Sequence, residues 1–203
     1  MLKKIKSKLL DCTLRDGSYE NNFGFTKNDT FQICKSLELA GVQFIEVGHG
    51  LGLGASKITK FKAAEEDKAY LIAAKKALKK SKWGVFCIPG ISSLEDLRKA
   101  ADQGINFVRI GTNVEDYKKA EAFIKLAKKL KIFVCSNYMK TYLVSPKKFT
   151  KYVKFSENMG SDLVYIVDSA GGMFPEELEA YSRQIKYEKI NIKLGFHGHN
   201  NLS

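Results

Sequence analysis

Short apolar runs and longer stretches of helical periodicity alternate along almost the whole chain. The runs are KLLDCTL (8–14), QFIEVG (43–48), WGVFCI (83–88), NFVRIG (106–111), KIFVCS (131–136), DLVYIV (162–167) and INIKLGF (190–196). Each is short, rich in β-branched and aromatic residues, and bounded by polar or glycine positions, the pattern of a buried strand. Between them, 27–41, 63–80, 93–103, 115–130, 146–159 and 174–186 space their apolar residues for one face of a helix. Thr26, Ser92, Asn113 and Ser145 precede helical stretches as capping residues, and Pro146 and Pro175 fall in first turns, where a missing N–H is harmless. Gly41, Gly104 and Gly160 follow helices as terminators. Strands alternating with helices across short connections require a parallel sheet with helices outside it.

Two α/β architectures satisfy that requirement, an open doubly wound sheet and a (β/α)8 TIM barrel. A dinucleotide-binding sheet wants a glycine-rich turn after its first strand, whereas TLRDGSY (13–19) supplies charge there. The barrel also explains where the polar oddities gather. Arg15, Asp16, His49, Asn137, Asp168, Ser169, His197 and His199 all fall at or just beyond the carboxyl ends of predicted strands, the functional rim of a barrel. Seven strands and six helices are legible, against eight of each and about 250 residues in a closed barrel. The expectation is therefore one domain over 1–203, a barrel lacking its C-terminal strand and helices. Its first and seventh strands would show open edges, which invite association. A homo-oligomer, or completion by a missing C-terminal segment, follows as an expectation.

Composition narrows the class. At 203 residues, with 44% hydrophobic and 28% charged positions, the chain suits one globular domain with a sizeable core. No apolar run reaches membrane-spanning length, and MLKKIKSKLL lacks the apolar segment and cleavage site of a secretory signal, so a cytoplasmic location is expected. Cys12, Cys34, Cys87 and Cys135 lie far apart and form no Cys-x-x-Cys pair, which reads as reduced thiols. The net charge of +12 comes mostly from lysines. They fill the polar faces of helices in KKALKKSK, KLAKKLK and SPKKFTKYVK, so neither nucleic acid nor a membrane is expected as a partner.

The chemistry concentrates in GFHGHNNLS (195–203). His197 and His199, two apart on a strand, point to one face, the spacing of paired metal ligands. The bland alternative is a pair of satisfied histidines. A third, anionic ligand is needed, and Asp16 is the best candidate because the first and seventh strands of a barrel lie close at the rim. Arg15 beside it can face a substrate's developing negative charge, unless the two form only a surface ion pair. Glu46 is an unusual strand charge, which Arg15 or Arg109 would satisfy inside the barrel mouth, and orienting Arg15 is its functional alternative. His49 either contacts substrate or caps its strand. Asn137 either bonds substrate or shapes a turn.

DCTLRDG (11–17) resembles the opening signature of the DRE-TIM metallolyase superfamily, which includes HMG-CoA lyase, isopropylmalate synthase and the 4-hydroxy-2-oxovalerate aldolases. EVGHGLGLGAS (46–56), YIVDSAGGMFPEEL (165–178) and GFHGHNNLS are similar to further segments of those aldolases, in the same order. The resemblance implies a divalent ion, Mn2+ or Mg2+ with Zn2+ or Co2+ as alternatives, held by Asp16, His197 and His199. It also implies Arg15 beside a pyruvate enolate, Asp168 and Ser169 in the site, and a loop from His49 to Ser56 closing over a 2-oxo acid and an aldehyde. Two departures stand out. Tyr19 occupies the place of the family's proton-transferring histidine, and Leu51 that of an acid. The implied activity is a carbon–carbon lyase. Alternatives are a Claisen-type acyl-CoA condensing enzyme on the same metal core, or a non-catalytic fragment that binds a partner.

Overall fold

Every predicted apolar run becomes a strand in a computed structural model, which describes residues 7–201. The strands are β1 (Leu10–Asp11), β2 (Phe44–Glu46), β3 (Lys82–Cys87), β4 (Phe107–Asn113), β5 (Phe133–Met139), β6 (Leu163–Asp168) and β7 (Lys193–Gly198). The helices between them are α1 (Lys27–Leu39), α2 (Asp67–Ala77), α3 (Leu94–Asp102), α4 (Glu121–Lys129), α5 (Pro146–Met159) and α6 (Pro175–Tyr187). All strand pairs are parallel and follow chain order from β1 to β7. No described strand joins β7 back to β1, so the sheet is a curled, incomplete TIM-like α/β barrel.

Two caps match their expected chemistry closely. Thr26 accepts the Asp29 N–H while Asp29 accepts the Thr26 N–H, a capping box, and the Ser145 side chain accepts the Lys148 N–H at the start of α5. The third cap shifts by one residue: Ser93, not Ser92, starts α3, and it too forms a box, with Asp96. Ser92 instead sends its hydroxyl to the Leu53 carbonyl at 2.7 Å.

Alternation along each strand buries one face under helices and turns the other into the barrel. One apolar cluster holds Ile45, Val85, Val108 and Val134 against Cys34, Leu71, Leu97 and Ile124 of the first four helices. A second packs Val164 and Ile166 under Phe149, Val153, Tyr181 and Ile185 of α5 and α6. The inward row is different in kind. Pairing sets Glu46 beside Gly84, Phe86 beside Arg109, Asn137 beside Tyr165 and Val167 beside His197. A filled barrel stacks branched aliphatics there, whereas this one carries charges and aromatic rings.

The differences from expectation have local causes. β1 is shorter than the apolar run 8–14, because the Cys12 carbonyl accepts the N–H groups of Arg15, Asp16 and Gly17 at 3.1, 2.8 and 3.2 Å and wraps the chain out of the sheet. The helix expected from residue 115 is 3₁₀ over Val114–Ala120 before α4 begins. β7 runs two residues past the predicted end, which puts His197 inside the strand and His199 just beyond it. No helix among the described residues is long and apolar enough to cross a membrane.

Candidate metal centre

The turn after β1 delivers the first group. Its three bonds to the Cys12 carbonyl lead into a 3₁₀ segment, Asp16–Asn21, and Ser18 Oγ donates back to the Arg15 carbonyl at 2.6 Å. Arg15 is thereby folded inward, 5% exposed, while Asp16 stays at the rim. In a 3₁₀ segment residues three apart eclipse, so Tyr19 stands over Asp16, and it is 46% exposed. Burial pushes the Tyr19 phenol above its ordinary pKa, with Arg15 opposing and Asp16 adding.

The end of β7 delivers the other two. The His199 N–H donates to the Asp168 carbonyl at 3.2 Å, which continues the β6–β7 ladder past Gly198. The Asp168 carboxylate accepts the N–H groups of Gly171 and Met173 at 2.9 and 2.7 Å and so locks the turn against which this segment leans. Gly171 has φ of +66°, and a Cβ there would lie 2.7 Å from the His199 carbonyl oxygen. Any larger residue would push His199 outward.

Asp16, His197 and His199 converge. His197 Nε2 lies 3.3 Å and His199 Nε2 3.8 Å from Asp16 Oδ2, with the two rings nearly perpendicular at a centroid distance of 5.3 Å. One ligand atom from each of the three lies within 4.8 Å of the others. Burial opposes ionisation of Asp16, but the His197 hydrogen bond and the Arg15 guanidinium outweigh it and hold the carboxyl well below the usual range. Burial lowers the His197 pKa against the pull of Asp16, with Arg109 and Arg15 adding to the effect. The donor set is thus a carboxylate and imidazole nitrogens, with His197 uncharged, and this chemistry fits a divalent cation.

Beneath the trio lies a buried chain of charge. Arg15 Nη1 donates to Asp16 Oδ1 at 2.7 Å and Arg15 Nε to Glu46 Oε2 at 2.7 Å. Arg109 Nη1 reaches the same Glu46 oxygen at 3.2 Å, and its Nη2 donates to Asn137 Oδ1 at 2.7 Å. Both predicted partners of Glu46 therefore pair with it. Burial works against the Glu46 charge, yet Arg109 and Arg15 hold its pKa low. The Phe86 ring lies 4.5 Å from Arg15 Cζ and 5.4 Å from Arg109 Cζ, and the Tyr165 ring 4.6 Å from Arg109 Cζ.

The remaining sequence candidates lie around this centre. Asn137 is buried against Arg109. Ser169 Oγ accepts the Lys140 N–H at 3.0 Å on the rim between β5 and β6. His49 is buried in the loop after β2, where Nδ1 accepts the Leu51 N–H at 3.0 Å, so Nε2 carries the proton and donates to the Phe61 carbonyl at 2.9 Å. Its ring stacks on Phe23 at 4.1 Å, and both nitrogens are engaged in holding the loop. Phe86 and Tyr165 gave no signal in the sequence beyond their place in apolar runs, and Arg109 entered only as a partner for Glu46.

A family model described as HMGL-like matches residues 6–203. The chain is 39% identical over 202 residues to 4-hydroxy-2-oxovalerate aldolase of Carboxydothermus hydrogenoformans, covering all of this chain and 59% of that protein. It is 40% identical over 195 residues to 4-hydroxy-2-oxovalerate aldolase of Moorella thermoacetica, covering 96% of this chain and 57% of that protein. The chain thus spans less than two thirds of the length of either relative. Among solved structures, the carboxyl transferase domain of Rhizobium etli pyruvate carboxylase superposes with a TM-score of 0.80 at 14% identity, over 96% of this chain and 36% of that one, a likeness of fold. The N-terminal domain of an aldolase candidate from Bacteroides vulgatus superposes with a TM-score of 0.77 at 25% identity, over 97% of this chain and 66% of that one. The chain belongs to the HMGL-like family.

Proposed function

We propose that residues 1–203 form an aldolase-type barrel domain of a divalent-metal-dependent carbon–carbon lyase, which cleaves or forms a 2-oxo acid through a pyruvate enolate. The observation that supports this most directly is the convergence of one ligand atom from each of Asp16, His197 and His199 within 4.8 Å. Relatives named 4-hydroxy-2-oxovalerate aldolase support the reaction class. Asp16 Oδ2, His197 and His199 would hold the ion, Mn2+ or Mg2+. Bound there, it would draw electron density from the keto and carboxylate oxygens of the substrate.

The chain's own residues then have distinct tasks. Arg15 is always charged and faces the mouth beside Asp16, so it stabilises negative charge developing on the substrate's oxygen. Tyr19, protonated at neutral pH and exposed at the rim, supplies a proton to the enolate carbon. The proton of the cleaved substrate hydroxyl leaves to solvent at the exposed rim, and solvent restores the Tyr19 phenol after it has protonated the enolate. Asn137, Asp168 and Ser169 are assigned to the substrate side, Asp168 by fixing the turn that carries Ser169. His49 holds the loop from His49 to Ser56, which would close over substrate. The open edges of β1 and β7 support association with further chain, either a second copy or a segment of the kind the longer relatives possess. Four free cysteines suit the cytoplasm.

The test is pyruvate release from a panel of 4-hydroxy-2-oxo acids with added Mn2+ or Mg2+, with acyl-CoA-dependent condensation run alongside. Metal-dependent release by the wild type, lost in His197→Ala, is expected. Product formation only with an acyl-CoA would replace the lyase reading by the condensing one.

A further inference from the structure

The buried charge under the centre has a member that the proposed chemistry does not use. Arg109 and Glu46 are both fully buried. Buried ion pairs contribute little net stability compared with well-packed apolar residues of the same volume, and the inward layer of a barrel is where such residues belong. The protein has nonetheless built a site around Arg109. Gly111 is a glycine because a Cβ there would stand 2.3 Å from Phe86 Cζ, and Gly195 because a Cβ there would stand 2.5 Å from Tyr165 Cε1. These two gaps admit the rings that flank the guanidinium, while Asn137 holds one of its ends and Cys12 Sγ accepts from Nη1 at 3.3 Å.

We propose that Arg109 is a positioning residue. Clamped by Phe86, Tyr165 and Asn137, it fixes the Glu46 carboxylate that aims Arg15 at Asp16. The bond pattern carries this reading, which rests on Arg15 acting in the proposed reaction. Glu46 uses Oε2 for both arginines, and its Oε1 has no partner among the described residues. A carboxylate with a free oxygen beside a guanidinium prefers a bidentate fork. Without Arg109, Glu46 would turn Oε1 onto Arg15 as well and draw a second N–H toward itself. Arg15 Nη1 would then move away from Asp16 and from the Gly50 carbonyl, which it reaches at 2.7 and 3.4 Å. Arg109 holds Glu46 to a single-oxygen contact and so keeps the fork of Arg15 open toward the mouth.

The experiment observes Arg15 directly. The side-chain Nε–Hε resonance of Arg15 in the ¹⁵N-labelled full chain is assigned by its absence in Arg15→Lys, then recorded in Arg109→Lys and Tyr165→Leu. Lysine keeps the charge but loses the planar fork, while Tyr165→Leu loosens Arg109 without touching Arg15 or Glu46. The expected result is a shifted or broadened Arg15 resonance in both variants, larger in Arg109→Lys, with far-ultraviolet circular dichroism showing a folded chain. If Arg109→Lys fails to fold, Tyr165→Leu decides alone. An Arg15 resonance at the wild-type position in every folded variant overturns the proposal. A parallel arm measures Mn2+ affinity, and then oxalate affinity in the presence of Mn2+. In Arg109→Lys, oxalate binding at saturating Mn2+ should weaken about tenfold, the loss of one charged hydrogen bond. Failure of the wild type to bind Mn2+ would sink the lyase reading while the resonance still decides the role of Arg109.

Discussion

Glu46→Gln keeps the shape of a side chain that two guanidiniums share and removes its charge. The hydrogen bonds survive the change in outline, because the amide oxygen can take the place of Oε2 and the new NH2 group the place of Oε1, which has no partner among the described residues. What is lost is the countercharge between Arg15 and Arg109, 5% and 0% exposed. Breaking a buried ion pair from one side typically costs about 3–5 kcal/mol, since the remaining charge is left uncompensated. At roughly 2–4 °C per kcal/mol for a chain of this size, the melting temperature should fall by about 6–20 °C. Trp83, the sole tryptophan, is buried on β3. Its fluorescence in urea therefore reports the loss directly, as a lower midpoint with an unchanged slope. The double variant E46Q/R109M removes one guanidinium as well and should recover part of the loss. A Glu46→Gln protein within about 1 kcal/mol of the wild type would show that the two arginines do not depend on this carboxylate, a smaller loss than one-sided removal of a buried pair allows.

Three further outcomes are expected. Gly111→Ala drives a methyl to 2.3 Å from Phe86 and should destabilise by about 1–3 kcal/mol, measured by the same urea transitions; a neutral result would mean that Phe86 moves freely. Arg15→Lys should lower turnover on the order of 10²-fold with little change in metal affinity, and retention of nearly full activity would remove Arg15 from charge stabilisation. His49 titrates below its ordinary value in the folded chain because it is buried, against the opposing Phe61 carbonyl bond. The unfolded chain, with a histidine pKa of about 6.5, binds that proton first as pH falls. Stability from His49 is therefore fully present above that value and lost below it, so the urea midpoint of His49→Gln should depend less on pH between about 7.5 and 5 than that of the wild type. Identical slopes would place His49 outside the buried loop.

Legibility in the sequence followed physical range. Strands and helices were readable because each is a local pattern of a few residues, and Glu46 drew attention because a carboxylate in an apolar run needs a partner. The convergence of Asp16, His197 and His199 was readable because His-x-His is local and strand order in a barrel brings residue 16 to residue 197. The short β1 was not, because three N–H groups converging on the Cys12 carbonyl outcompete pairing that the composition of 8–14 favours. Phe86 and Tyr165 were not readable either. An aromatic residue in a strand looks the same whether it faces a helix or a guanidinium, and only the register across β3 to β7 decides which.

Calorimetric titration of Mn2+ into the wild type and into Asp16→Asn, His197→Ala and His199→Ala tests the central claim most directly. One ion per wild-type chain is expected, with affinity falling at acid pH as protons compete for the imidazoles. Each substitution should weaken binding by more than the roughly 10- to 100-fold that loss of an outer partner costs. Equal affinities across all four proteins, or no binding by the wild type, would contradict the assignment of Asp16, His197 and His199 as a metal centre.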